Sequence, residues 1–260
     1  MPTVVPAHEL VGTGADVVLV PGTFSDRRTW LKVVGALSAR FRCLLLDPRG
    51  TGATPDPGTR FTPDDLVDDL LAAMDAAGVR RAHLVGHSLG AGVALLTAAR
   101  HPVRVDRLVL VGPAAHADPY LDAVFDQWEA LARSDLPDAA LHLGLLLPAF
   151  GRQAFERLVP ALVHDMARRP MARDTILRYV ACGRALDLAH AARRVDAETL
   201  IVSGADDQLT GDGHAAVLLA AIPGARAARI ADCGHTPQIE RPVELARTIV
   251  DFLTGRGRER

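Results

Sequence analysis

The sequence predicts an α/β fold: a mostly parallel, doubly wound sheet of about eight strands with a helical insertion. Two observations predict it. Short, continuously apolar runs alternate with longer helical patterns up to residue 113, and strand signal resumes from 196. Between them, from 114 to 195, helical patterns dominate and no convincing strand appears. Strands apolar on both faces belong in a sheet covered on both sides, and strand–helix alternation builds right-handed parallel βαβ units. The expected division is a core of residues 1–113 and 196–260, with a helical cap over 114–195.

The elements follow in order. Val17-Val18-Leu19-Val20 is a strand, followed by a loop and a helix near Trp30 to Leu37. Cys43-Leu44-Leu45-Leu46 is the next strand. Pro63 to Ala77 is an amphipathic helix; a proline suits its first position, where the N–H has no partner, and Gly78 can end it. Ala82-His83-Leu84-Val85 is a short buried strand, and Ala91 to Arg100 is rich in helix formers. Strands follow at Leu108-Val109-Leu110-Val111, Thr199-Leu200-Ile201-Val202 and Ala227-Ala228-Arg229-Ile230, then a helix from about Pro242 to Phe252. The tail from Gly255 to Arg260 is expected to fray.

Composition narrows the function. At 260 residues with 49% hydrophobic content, the chain can bury a two-sided core. A formal charge of −2 offers no basic field for nucleic acid. Cys43, Cys182 and Cys233 are odd in number and widely spaced, so neither a disulfide frame nor a zinc site is expected. The N-terminus lacks a basic stretch followed by a long apolar one, and Arg and Asp interrupt every apolar run before membrane-spanning length. A soluble cytoplasmic protein is the default expectation. No His–carboxylate grouping has metal spacing, and Gly12-x-Gly14 and Gly50-x-Gly52 lack the rest of a dinucleotide fingerprint. No cofactor is therefore expected, and the oligomeric state stays open.

Chemistry concentrates at Gly86-His87-Ser88-Leu89-Gly90, which fits G-x-S-x-G between a strand and a helix. Small residues suit a strained turn whose helix crosses close to the strand. The Ser88 hydroxyl then projects from the sheet, with the Leu89 N–H at a helix N-terminus where a developing oxyanion is stabilised. A serine hydroxyl is a weak nucleophile near neutral pH; it needs a base, and the base needs an orienting acid. Both occur on loops after later strands: Asp206 and Asp207 past Val202, and His235 past Ile230. Position in the turn favours Asp207, with Asp206 the competitor. His87 is expected to shape the turn, and the other histidines to be structural or exposed.

With these residues the chain resembles the α/β-hydrolase superfamily along essentially its whole length, in the branch with a helical cap after the sixth strand. The family's strand-end G-x-x-D matches Gly204-Ala205-Asp206-Asp207, which points to Asp207 as the acid. Its G-H-x-x-x-x-E-x-P matches Gly234-His235 through Glu240 to Pro242, and its D-x-R-G-x-G matches Asp47-Pro48-Arg49-Gly50-Thr51-Gly52. The usual His-Gly of the oxyanion loop is replaced by Pro21-Gly22-Thr23-Phe24. The resemblance implies that the backbone N–H groups of Thr23 and Leu89 form the oxyanion hole. It also implies a serine hydrolase with an acyl-enzyme, acting on a small or medium apolar ester, lactone or thioester. Haloalkane dehalogenases and epoxide hydrolases of this fold use an aspartate nucleophile, so Ser88 argues against both. Acyl transfer, carbon–carbon cleavage, perhydrolysis and slow-turnover ligand binding stay open. A cyanohydrin lyase needs a placed lysine, and Lys32, the single lysine, reads as badly placed in the first helix. Phe24 beside the oxyanion loop, with Phe125, Trp128, Leu145, Phe150 and Tyr179 in the insertion, are candidates to line an apolar substrate pocket.

Overall fold

The structure, a computed structural model, describes residues 3–256. Residues 257–260 of the expected frayed tail, and Met1 and Pro2, lie outside the described residues. The strands are β1 (His8–Val11), β2 (Ala15–Val20), β3 (Phe41–Leu46), β4 (Ala82–His87), β5 (Val105–Val111), β6 (Glu198–Gly204) and β7 (Arg226–Ile230). In the first half, the helices are α1 (Leu31–Leu37), α2 (Pro63–Ala76) and α3 (Leu89–Arg100). Between β5 and β6 lie α4 (Pro119–Arg133), α5 (Asp138–Leu146), α6 (Arg152–Arg168), α7 (Arg173–Arg184) and α8 (Ala189–Ala192). The last are α9 (Gly211–Ala221), α10 (Pro237–Glu240) and α11 (Pro242–Leu253).

The sheet runs β1-β3-β2-β4-β5-β6-β7, and only the β1–β3 pair is antiparallel. Alternate side chains enter opposite layers. Val18, Val20, Leu44, Leu46, Leu108 and Leu110 join one cluster, with residues of α2 and α3. Val17, Leu19, Cys43, Leu45, Val109 and Val111 join the other, with α1 and α11. Burial on both faces is the reason these strands read as unbroken apolar runs. The sheet has seven strands where about eight were expected. Residues ahead of β1 are tied down elsewhere: the Val4 N–H donates to Asp69, and the Ala7 N–H to the Thr54 hydroxyl. β1 itself escaped the sequence reading because His8-Glu9-Leu10-Val11 is short and partly exposed.

The sequence signals for α2 are realised in detail. Thr62 and Asp65 form a reciprocal capping box, Pro63 stands in the first turn, and Gly78 follows in the left-handed region at φ 68°. The Asp47 stretch serves the framework. Asp47 is buried and accepts the N–H groups of Arg27 and Ala53, and Gly52 lies so close that a Cβ would meet its carboxylate at 2.3 Å. Arg49 is buried against Asp69 in a two-bond ion pair, both bonds 2.6 Å.

Helices α4–α8 lie between β5 and β6, after the fifth strand among the described residues. Phe125, Trp128, Leu145, Phe150, Ile176 and Val180 belong to a third apolar cluster, which also takes in Leu209. The segment is not independent of the core, because α7 divides its faces. Ile176 and Val180 point to the third cluster, whereas Tyr179 and Cys182 join the sheet's own layer. Among the described residues, no helix is long and apolar enough to cross a membrane.

Candidate active site

Ser88 stands between β4 and α3 with φ 52° and ψ −122°, a region costly for a residue with a side chain. Close packing holds it there. A Cβ on Gly86 would meet the Gly90 carbonyl oxygen at 2.2 Å, and one on Gly90 would meet the Pro21 oxygen at 2.3 Å. Only glycine fits either position. The Ser88 N–H donates to the Val111 carbonyl at 2.9 Å, which ties the turn to the end of β5. Leu89 opens α3, so its N–H faces outward from a helix start with no partner in the helix.

Asp207 and His235 come together from loops after β6 and β7. His235 Nδ1 donates to Asp207 Oδ2 at 2.9 Å, with both side chains at least 96% buried. The other carboxylate oxygen accepts the N–H groups of Leu209 and Thr210 at 2.9 and 3.1 Å, and the Thr210 hydroxyl donates to Oδ2 at 2.9 Å. Burial pushes the Asp207 carboxyl up, but the His235 charge, its hydrogen bond and the Thr210 donors outweigh it and hold the group well below the usual carboxylate range. Asp206 is exposed, and its backbone N–H donates to the Cys233 carbonyl in the His235 loop.

The His235 loop is stapled from below by Glu240. This buried carboxylate accepts the N–H groups of Gly151, Gly234 and Thr236 and the Thr236 hydroxyl, at 2.9–3.2 Å. Gly151 precedes α6, so one carboxylate couples the histidine loop to the insertion. The His235 N–H also donates to the Ala149 carbonyl at 3.0 Å. His87, fully buried, braces the opposite side: its Nε2–H donates to the His235 carbonyl at 2.8 Å. Gly22 lies close to the same ring: a Cβ there would meet His87 Nδ1 at 2.7 Å.

Burial, with the neighbouring His235 adding to it, lowers the His87 pKa to about 3. His87 therefore stays neutral in the folded chain where an unfolded histidine, near pKa 6.5, takes a proton. Its contribution to stability is complete above pH 6.5 and is lost as pH falls from there toward 3, by up to about 1.4 kcal/mol per pH unit. His83, His142 and His214 are lowered by burial in the same sense. Urea midpoints measured between pH 7 and 4 should fall with acid. His87→Gln, which keeps an amide donor, should make that fall shallower; an unchanged slope would refute the linkage to His87.

Ser88 and His235 both line two cavities, one of about 420 Å³ and one of about 40 Å³. Thr23, Trp128 and Leu209 line both as well, so they form the waist between them. Phe24, Leu145 and Phe150 line the larger cavity, and Phe125 and Leu89 the smaller. Phe24 holds a positive φ of 60° and packs edge-on to Trp128 at 5.2 Å. Tyr179 lines neither. It is 1% exposed, its hydroxyl donates to the Arg49 carbonyl, and its ring packs against Phe24 and Phe61, so it belongs to the framework. Lys32, which reads from the sequence as badly placed in the first helix, is exposed and lines the larger cavity together with Arg28 and Asp165. Sequence reasoning missed Leu209, Thr210, Ile239 and Met166. Thr210, three residues past Asp207, carried the one available signal, that of a capping side chain.

A family model described as the alpha/beta hydrolase fold matches residues 17–242. The chain belongs to the α/β-hydrolase family. It is 30% identical over 256 residues to a Caulobacter vibrioides protein named "Putative carbamate hydrolase RutD", covering 95% of each chain. It is also 30% identical over 252 residues to the pyrrolizixenacetamide deacetylase of Xenorhabdus hominickii, covering 93% of this chain and 92% of that one. Among solved structures, the enol-lactonase from Burkholderia xenovorans LB400 superposes with a TM-score of 0.86 at 28% identity, over 95% of this chain and 96% of that one.

Proposed function

We propose that this α/β-hydrolase is a serine hydrolase that cleaves a small-molecule acyl compound through Ser88, His235 and Asp207. The observation that carries the reading is the buried His235–Asp207 pair, 2.9 Å apart, on the wall of the cavities that Ser88 also lines. An imidazole held through Nδ1–H by a carboxylate presents its Nε2 lone pair as a base. Ser88 Oγ adds to the carbonyl carbon as its proton passes to His235. The oxyanion is received by the backbone N–H groups of Thr23 and Leu89, each worth roughly 3–4 kcal/mol when removed. The Thr23 N–H has no protein acceptor among the described residues and stays available for this role. The tetrahedral intermediate collapses, the bond to the leaving group breaks, and His235 returns the proton to it. Water then repeats the sequence on the acyl-enzyme and releases the acid.

The helices α4–α7 act as the cap. They supply Trp128 and Leu145 to the cavity wall, with Phe150 from the link between α5 and α6, and exclude bulk water from the intermediate. Ester, lactone and thioester cleavage all suit this geometry, and so does cleavage of an amide or carbamate, as the names of the relatives suggest. A fluorophosphonate probe tests the assignment directly. It should add one phosphonyl group per chain, on the peptide carrying Ser88, and abolish ester turnover in proportion. Turnover that persists in fully labelled protein, or labelling elsewhere, would remove Ser88 from the mechanism.

A further inference from the structure

We infer that the substrate carries a short acyl group, of acetyl or propionyl size, on a bulky apolar leaving group. This rests on the serine-hydrolase reading and adds which side of the scissile bond is small. The two chambers meeting at Ser88 differ in volume about tenfold, 40 against 420 Å³. A water-sized group needs ~10–15 Å³ of such space, so the smaller chamber, which begins at Ser88, Thr23 and Leu89, admits about three carbon-sized groups, the carbonyl carbon included. Its far wall is made of Leu121, Phe125 and Leu186, all at most 7% exposed. The ring of Phe125 lies 2.9 Å from where a Gly183 Cβ would stand, so α4 and α7 are in contact and the wall has little room to retreat.

The sequence of bond-breaking decides which chamber takes which group. The leaving group departs first and water must then reach the ester carbon, so it occupies the chamber that opens outward. The larger one does so more widely: its far end carries the exposed Arg28, Lys32, Asp165 and Arg169, whereas His116 is the one exposed residue lining the smaller. It also extends past His235 along Thr236, Gln238 and Ile239, where the imidazole can hand its proton to the departing atom. The acyl group stays bound to Ser88 while the first product leaves, and the smaller chamber, beside Leu89 at the start of α3, holds it there. Phe24, Trp128, Leu145, Leu146, Phe150 and Met166 make most of the larger chamber's wall apolar, so the leaving group is apolar over most of its length.

A pair of isomeric esters tests this with intrinsic reactivity nearly matched: 2-naphthylmethyl acetate and methyl 2-naphthylacetate. They place the same ring on opposite sides of the carbonyl. The acetate should exceed its isomer in kcat/KM by at least about tenfold, since each misfitting carbon in a rigid apolar pocket costs about that much. A ratio below ten, with turnover still abolished in Ser88→Ala, overturns the size assignment and leaves the serine hydrolase standing. If neither ester is turned over and the fluorophosphonate fails to label Ser88, the hydrolase reading fails and this one with it. Leu121→Ala gives an independent check by enlarging the small chamber. It should raise turnover of p-nitrophenyl butyrate relative to the acetate about tenfold. If that variant does not fold, Ala117→Leu, on the rim of the same chamber, should lower acetate turnover by a similar factor. An unchanged acyl-length profile in a folded variant counts against the assignment.

Discussion

Ser88→Ala is expected to lower kcat on any acyl substrate by about 10⁴- to 10⁶-fold while leaving the fold in place. The loss is large because no other group on the cavity wall offers a nucleophile activated by His235. Some acceleration over water should remain, since the backbone N–H groups of Thr23 and Leu89 do not depend on the serine hydroxyl. Stability should barely change. The hydroxyl of Ser88 makes no hydrogen bond to the protein among the described residues, and the strained backbone at φ 52° is held by Gly86 and Gly90, which the substitution leaves alone. Initial rates on p-nitrophenyl acetate, measured beside a urea titration of both proteins, check this. Full activity in the mutant would remove the nucleophile from the scheme.

Asp207→Asn should cost about 10⁴-fold in kcat, through the tautomer of His235. The Leu209 and Thr210 N–H groups point at one carboxylate oxygen, so an asparagine must place its carbonyl there. Its NH₂ then faces His235 Nδ1, which the carboxylate had held as a donor at 2.9 Å. The imidazole must accept at Nδ1 and carry its proton on Nε2, where it can no longer take one from Ser88. Asp206→Asn, on an exposed side chain, should change kcat less than about twofold. If Asp206→Asn proves the damaging substitution, the acid is the neighbouring residue. The depressed Asp207 carboxyl also has a stability consequence. Its stabilisation is complete above the unfolded value near 3.9 and is lost only as pH falls below that toward its lower folded value.

Much of this could be read along the chain. The central strand runs are apolar on both faces because both faces are buried, and each of the six runs proposed from the sequence lies in a strand of the sheet, β7 being the partly exposed one. Gly86 and Gly90 announced a close crossing, and the structure leaves no room there for a Cβ. What escaped was signalled weakly or through space. β1 is short and half-exposed, so no apolar run marks it. Tyr179 looked like a pocket residue because it lies in the insertion, but α7 turns that face toward the sheet. Lys32 read as badly placed in the first helix, and no local pattern shows that it lines the larger cavity.

The sequence by itself determined the sheet and its crossover helices, and it marked Ser88, Asp207 and His235 as candidate residues. These depend on local pattern: apolar period, glycine at tight turns, and residue types following strand ends. Only the tertiary structure decided that Asp207 faces His235 while Asp206 faces solvent, because burial and orientation within one turn depend on what packs against it. It alone decided that His87 and Glu240 brace the histidine loop from two sides, across 148 residues in the first case. It alone set the unequal chambers at Ser88, because a cavity's volume is the space left between elements distant in sequence, and no local pattern encodes it.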